Sequence, residues 1–386
     1  MRPCGLFLGL FALWLASCTD RAGHRRDTVE LAPTDKLELP LDSTTSNQME
    51  GQYLMDHKSG REYLVFFVQK QRRLLFYDPA TQKLAFATQF AAEGPDGVGD
   101  ACGFHAVSLD SIFLEGSPLR FFLADTSGRV KRTYSLQGKD DAQGYPILSY
   151  CTISNLNLAA ATGPTYHFFR WPSGFEKDLA VRRQPFLAQL DLATGGAKML
   201  PAFYPKFYHE NFWSIIHMEA GITRAPSGFV FNFPASDSVY AWQDGQTVAH
   251  YAASRFITTP IKPVASVPTT EEGLDRPIIE QQCYASLGYD PWRQVYYRIA
   301  WHPHDDLSNV GNILRIYAEK PCSIIILDKD LNIIGETMLP RDRYFTMRWF
   351  IGPKGLYISD AHPDNPDLDE DVLSYTLFTL AKRKDE

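Results

Sequence analysis

The chain has 386 residues, enough for one large domain or two small ones. Its 38 Lys and Arg against 45 Asp and Glu leave a formal charge of −7, which argues against nucleic acid, whose recognition needs a basic face. Tyr and Phe dominate an aromatic share of 13%, a composition suited to strands, and beyond the first residues no apolar stretch approaches the roughly 20 that a membrane-crossing helix takes.

The chain opens with the pattern of an exported protein. Arg2 supplies a positive charge, residues 5–15 are almost unbroken apolar, and the run ends in Leu15-Ala16-Ser17-Cys18. A short apolar segment before small residues reads as a signal peptide covering 1–17. Leu-Ala-Ser-Cys is the lipobox pattern of bacterial lipoproteins, so Cys18 is expected to carry acyl chains and become the new N-terminus. Each buried methylene contributes about 0.8 kcal/mol, so two or three chains would hold a domain on a bilayer. Thr19 after the cysteine resembles the outer-membrane sorting rule and places the protein in the bacterial cell envelope. Residues 18–47, with Arg21, His24, Arg25, Arg26, Asp27, Pro33 and Pro40, read as a lipidated, disordered tether. The folded domain is then expected over 48–386.

Past the tether one unit recurs: an apolar run, a polar turn opened by Asp, and a second apolar run. The turns are Asp78-Pro79-Ala80-Thr81-Gln82-Lys83, Asp125-Thr126-Ser127-Gly128-Arg129, Asp191-Leu192-Ala193-Thr194-Gly195-Gly196, Gln243-Asp244-Gly245-Gln246 and Asp328-Lys329-Asp330-Leu331-Asn332. Asp is expected to bond the turn backbone, with Gly or Asn taking the positive φ. A second hairpin precedes these, as in Val107-Ser108-Leu109-Asp110-Ser111-Ile112-Phe113-Leu114 and Leu287-Gly288-Tyr289-Asp290-Pro291-Trp292-Arg293-Gln294-Val295-Tyr296-Tyr297. Two hairpins make a four-stranded sheet, and its repetition is how a β-propeller is written in sequence. The expected fold is therefore all-β, a six-bladed β-propeller with units near 50–92, 103–138, 147–205, 211–254, 282–340 and 343–381. Residues 373–380 would pair into the N-terminal blade and close the ring, and 255–282 would be an excursion between blades. Seven blades is the alternative count, and a double β-sandwich the alternative architecture.

Several stretches resemble the domain of unknown function 4221 family of Gram-negative lipoproteins. They are Glu93-Gly94-Pro95-Asp96-Gly97-Val98-Gly99, Leu109-Asp110-Ser111-Ile112-Phe113, Tyr289-Asp290-Pro291-Trp292-Arg293-Gln294-Val295-Tyr296-Tyr297-Arg298, Ile325-Ile326-Leu327-Asp328, Gly335-Glu336-Thr337-Met338-Leu339-Pro340 and Gly355-Leu356-Tyr357-Ile358-Ser359. The resemblance implies a TolB-like, six-bladed propeller on a lipid anchor. It implies no chemistry.

The residues themselves name no catalyst. There is no Gly-x-Ser-x-Gly elbow. The acidic run 364–371 lacks the spacing of a calcium loop, because a count from Asp367 puts Val372 sixth and Phe378 twelfth. His302-Pro303-His304-Asp305-Asp306 is the densest histidine cluster, yet no distant third ligand can be named, so surface-loop polarity is expected there and neither metal nor cofactor is assigned. The basic clusters Lys70-Gln71-Arg72-Arg73 and Arg182-Arg183 read as solvated hairpins. Of the cysteines past the anchor, Cys102, Cys151, Cys283 and Cys322 allow three full pairings or free thiols.

What remains is a ligand surface where loops converge on the axis. Tyr297, Arg298, Trp301, His217, Glu219 and Arg348 lie on or beside expected inner strands and are the candidate binding residues. The weightier reading is packing, with Tyr297 and Trp301 in the blade core and Arg298 capping a carboxylate. The expected function is that of a non-enzymatic binding protein of the envelope, with the bilayer as one partner and an envelope protein or glycan as the other. The alternative is a hydrolase or lyase of carbohydrate or peptidoglycan fragments.

Overall fold

The computed structural model describes residues 26–116, 120–136, 160–170, 178–266 and 268–383. In chain order the first strand is β1 (Val29–Pro40). The next four, β2 (Glu50–Asp56), β3 (Arg61–Val68), β4 (Arg73–Asp78) and β5 (Lys83–Gln89), form an antiparallel sheet in that order. A second sheet follows from β6 (Ala101–Ser108), β7 (Ser111–Gly116), β8 (Arg120–Ala124) and β9 (Val130–Ser135). The third is β10 (Ala160–Thr162), β11 (Thr165–Phe169), β12 (Leu187–Asp191) and β13 (Ala197–Leu200). A short helix α1 (Ile215–Met218) leads into the fourth, made of β14 (Gly221–Ala225), β15 (Gly228–Asn232), β16 (Ser238–Gln243) and β17 (Gln246–Tyr251).

Helix α2 (Glu271–Glu280) then precedes β18 (Cys283–Asp290) and β19 (Val295–Trp301). Helix α3 (Ile313–Glu319) precedes β20 (Cys322–Leu327), β21 (Ile333–Met338), β22 (Phe345–Gly352), β23 (Gly355–Ser359) and β24 (Val372–Lys382). These last seven strands and β1 share one eight-stranded sheet in the order β18-β19-β20-β21-β1-β24-β23-β22.

Three expectations are corrected here. The described sheets number five, not six, because the last two expected units are joined in one sheet. The join is β1, which pairs antiparallel with β24 from Val29↔Lys382 to Pro40↔Val372 and touches β21 at the single parallel pair Val29↔Gly335. The segment expected to be a disordered tether therefore contains a twelve-residue strand, whose Leu31, Leu37 and Leu39 are buried. Its polar remainder misled, because beyond Val29 the strand pairs with β24 alone, and Asp35, Lys36 and Glu38 face water. And β24 does not join the first sheet. The N-terminal strand instead joins the C-terminal one.

The Asp-led turns form as expected. Asp78 Oδ1 accepts from the Ala80 and Thr81 amides at 2.8 and 2.9 Å, and Asp191 Oδ1 from Ala193 and Thr194 at 2.8 and 2.7 Å. Gly128, Gly195 and Gly245 take positive φ, but Gln82, Gln294 and Leu331 hold the equivalent left-handed position in other turns, where a side chain is strained.

Apolar alternation on both faces of the strands is resolved by stacking. Phe67, Leu74 and Val65 of the first sheet pack with Phe104, Leu114 and Phe122 of the second. Phe113 and Phe121 meet Tyr166 and Phe168 of the third, whose Leu187 and neighbouring Phe186 meet Phe229 and Phe231 of the fourth. Val230 and Val239 meet Tyr284 and Leu287. Ile299 and Ile324 pack on Met347 and Trp349 within the long sheet, and Phe350 and Tyr375 return to Leu64 and Phe66 of the first sheet. The stack thus closes on itself, a propeller-like arrangement with a core at each junction. A two-sheet sandwich would have one.

Up-and-down order gives the stack two different ends. Turns from first to second and from third to fourth strand lie at one end, and all other connections at the opposite end. The turn ends of neighbouring sheets meet: Lys58 pairs with Asp110, Arg293 Nη2 donates to Pro353 O at 2.7 Å, and Trp292 packs edge-on to Tyr53 at 5.4 Å. The opposite, loop end carries α1, α2, α3 and the segments between sheets.

Cys102 is disulfide-bonded, whereas Cys283 and Cys322 are buried free thiols. Cys151 lies outside the described residues, as does Cys18. Arg182 is not solvated but fully buried, with its guanidinium 5.1 Å over the Phe212 ring.

Candidate functional site

The first strands β2, β6, β14, β18 and β22 surround the axis, and their starts open at the loop end. Three of the six expected binding residues are spent before they reach it. Arg298 on β19 is fully buried and donates from Nε to Asn232 Oδ1 at 2.8 Å, from Nη1 to Ala252 O at 2.7 Å and from Nη2 to Ser236 O at 2.6 Å. Its guanidinium also lies 3.7 Å from the centre of the Tyr284 ring. It caps carbonyls, not a carboxylate, and ties the fourth sheet to the fifth. Burial lowers its pKa to about 10, which leaves it charged. Tyr297, on the other face of the same strand, donates to Asp290 Oδ2 at 3.2 Å. Trp301 donates from Nε1 to Thr346 Oγ1 at 2.8 Å and stacks on Tyr317 of α3. All three hold the sheets together, because a strand buried on both faces leaves no side chain free for the axis.

His217 on α1 is also fixed. Its Nε2 meets the Gln282 carbonyl at 3.0 Å, so that nitrogen carries the proton, and Nδ1 accepts from Ser214 Oγ at 2.8 Å. Burial lowers its pKa to about 4. It fastens the entry to β14 onto the entry to β18.

Glu219 lies just ahead of β14, and Arg348 lies within β22, both on or beside inner strands. Glu219 follows α1, and among the described residues its carboxylate has no hydrogen-bond partner. Burial raises its pKa to about 7. Arg348 on β22 is 8% exposed and lies 3.6 Å from Oε1 of Glu50, the first residue of β2, itself 14% exposed. Burial raises Glu50 to about 8, with Arg348 working against the shift and Glu115 adding to it. A buried carboxyl resists ionisation unless a partner compensates, and one guanidinium at 3.6 Å does not.

Two further ionisable residues lie on the neighbouring second sheet. His105 on β6 lies 6.3 Å from the Tyr166 ring, and its Nδ1 is buried without a hydrogen-bond partner. Burial lowers it to about 4. Glu115 on β7 raises both Glu50 and the Tyr166 phenol, after the larger effect of burial. Glu50, His105 and Glu115 were not singled out in the sequence. Their only signal was an ionisable residue inside or at the end of an apolar strand, which is visible once strand order is known.

Elsewhere at the loop end Lys320 donates to Ile278 O, Ile279 O and Gln281 O at 2.7, 2.9 and 2.7 Å. The ammonium thereby closes the C-terminus of α2, where cations are favoured. The histidine loop divides in two. His302 is buried against Ser323 Oγ at 2.9 Å, while His304, Asp305 and Asp306 line a cleft of about 690 Å³ with Glu280, Glu319 and Asp342. Asp342, His362 and Asp364 approach within 4.8 Å of one another beside it. His362 Nδ1 already accepts from the Asp364 amide at 3.0 Å, and its Nε2 contacts Ala318 O at 2.9 Å. Asp364 is held by Arg315 Nη2 at 2.6 Å through both oxygens. Those bonds use the atoms a metal would need.

Comparison with known proteins places this geometry. No curated protein matches the chain. A crystal structure of a DUF4221 member from Bacteroides vulgatus ATCC 8482 is 25% identical, superposes with a TM-score of 0.78, and covers 93% of this chain and 100% of its own. A Bacteroides fragilis NCTC 9343 protein that carries the name of an exported protein is 10% identical at a TM-score of 0.57, with 92% of this chain and 96% of its own covered. That second likeness is one of fold. Residues 28–338 match the pattern of a family described as Domain of unknown function (DUF4221), and the chain belongs to that family.

Proposed function

We propose that this chain is a lipoprotein of the bacterial cell envelope, held by acyl chains on Cys18, whose domain binds a ligand at the loop end of its axis. The observation that carries the binding reading is the set of ionisable side chains on or beside the inner strands: Glu50 at the start of β2 beside Arg348 within β22, His105 within β6, and Glu219 just ahead of β14. Glu50 Oε1 and His105 Nδ1 are buried without a hydrogen-bond partner, and Glu219 has none among the described residues. Burying such groups costs free energy that the fold alone does not recover, as expected where a polar ligand completes the set. An envelope protein or a glycan is the partner class proposed. Outer-membrane placement rests on Thr19, and export is in keeping with the Cys102 disulfide, since such bonds persist in oxidising compartments.

A second reading is favoured by one feature. Glu50 and Glu219 are raised to about 8 and about 7, the range in which a carboxyl serves as a general acid at neutral pH. A hydrolase or lyase of glycan fragments would use such groups.

Two experiments test these readings. Cys18→Ala should release the protein from the membrane fraction, and full retention would defeat the anchor. The chain from Thr19 onward, screened by thermal shift against glycans and peptides, should show a ligand whose shift is lost in Glu219→Gln or Glu50→Gln. A hundredfold excess over Kd stabilises by about 2.7 kcal/mol. A hit untouched by either variant would put the binding surface elsewhere, and turnover of the hit would favour the enzyme.

A further inference from the structure

Strand β1 runs from one end of the molecule to the other, and its start is where residues 19–25 join the fold. The chain is fixed to the fold from Arg26 onward. The Arg26 and Thr28 amides donate to Ile333 O and Ile334 O, each at 2.8 Å, and the Arg383 amide donates to Thr28 O at 3.0 Å. Asp27 is paired with Arg255 at 3.2 Å and Arg383 at 3.7 Å. Only residues 19–25 separate Cys18 from this fixed point. Eight steps of at most 3.6 Å give a reach of about 29 Å.

Direction follows from pairing. Strand β22 starts at the loop end, and each of β23, β24 and β1 reverses its predecessor. Strand β1 therefore begins at the turn end, beside the Asp328–Asn332 turn, and finishes at the loop end. Twelve residues at about 3.3 Å each span about 40 Å. For the loop end to touch the bilayer, the tether would have to run back along the whole of β1. It is about 10 Å too short even when fully extended.

We infer that the turn end, at the start of β1 and the end of β24, is the surface that faces the phospholipid bilayer, and that the axial site opens away from it. The site thus receives a ligand from the aqueous side, not one embedded in the anchoring leaflet. This inference rests on the reading of Cys18 as acylated.

The test uses the full lipidated chain, purified from membranes and reconstituted into phosphatidylcholine vesicles containing a nitroxide-labelled lipid. A fluorophore is attached in separate preparations at Lys329→Cys, in the turn beside β1, and at Asp305→Cys, in the loop after β19. Both positions are exposed. Quenching at 329 should exceed that at 305 at least threefold, and twenty flexible residues inserted after Thr19 should bring the two values together. Equal or stronger quenching at 305 in the native-length chain would overturn the orientation. Co-flotation is scored separately. If the protein fails to float with the vesicles, or if Cys18→Ala floats equally well, the anchor itself is wrong.

Discussion

Half-buried Glu219 and fully buried Arg298 show how differently two ionisable side chains can be employed. Arg298 is saturated by Asn232, two carbonyls and the face of Tyr284, so its loss leaves several buried acceptors unpaired. Arg298→Ala should lower unfolding stability by about 3 kcal/mol in urea melts, with no effect confined to ligand binding. Glu219 has no such partners, and its proton is held up to about 7 in the folded chain against 4.5 ordinarily. Between those values the folded chain binds more protons than the unfolded one, so stability falls as pH rises from 4.5 to 7. Glu219→Gln removes that loss. Urea melts should find it equal to the wild type near pH 4 and more stable at pH 8, by about 2 kcal/mol. His217, lowered to about 4, acts in the opposite sense, losing stability as pH falls from 6.5 to 4, and is common to both proteins.

Strand β1 is where local sequence was least informative. Asp-led turns were legible because one side chain bonding the amides two and three residues on is a local event, as Asp78 and Asp191 show. Strand β1 has Thr34, Asp35, Lys36 and Glu38 among its residues, and only its non-local register with β24 buries Leu31, Leu37 and Leu39. Helix α2 was missed for a similar reason. Its Pro277 and polar composition argue for a loop, while its ends are fixed by Thr270 Oγ1, which accepts from the Gly273 amide at 3.2 Å, and by Lys320 from forty residues away. A chain beginning at Gln48 should therefore fail to fold to a cooperative state, whereas one beginning at Arg26 should melt like the full domain. Calorimetry separates the two, and a cooperative transition in the shorter chain would remove β1 from the account. Leu39→Asp, which places a charge at a fully buried position, should cost about 3–5 kcal/mol by the same measurement.

At the scale of the whole molecule, the repeated hairpin conveyed all-β architecture and stacking, because alternation on both faces must be hidden somewhere. It could not convey how the last two units share a sheet, since that depends on a strand more than 300 residues away. Nor could it reveal which charged residues meet at the axis. Arg348 and Glu219 were identified from the sequence, but Tyr297, Arg298 and Trp301 belong to strands packed on both sides, and Glu50 and His105 become visible only when strand order is known. If Cys18 is acylated as proposed, the tether length and the direction of β1 would turn the axial end away from the bilayer. The central claim is that buried, incompletely paired acids stand at that end awaiting a ligand. Carboxyl carbons of glutamate, followed by NMR from pH 4 to 9 in wild type, Glu50→Gln and Glu219→Gln, test it directly. Two signals should titrate near 8 and 7 and vanish one by one in the variants, whereas titration of every glutamate between 4 and 5 would contradict it.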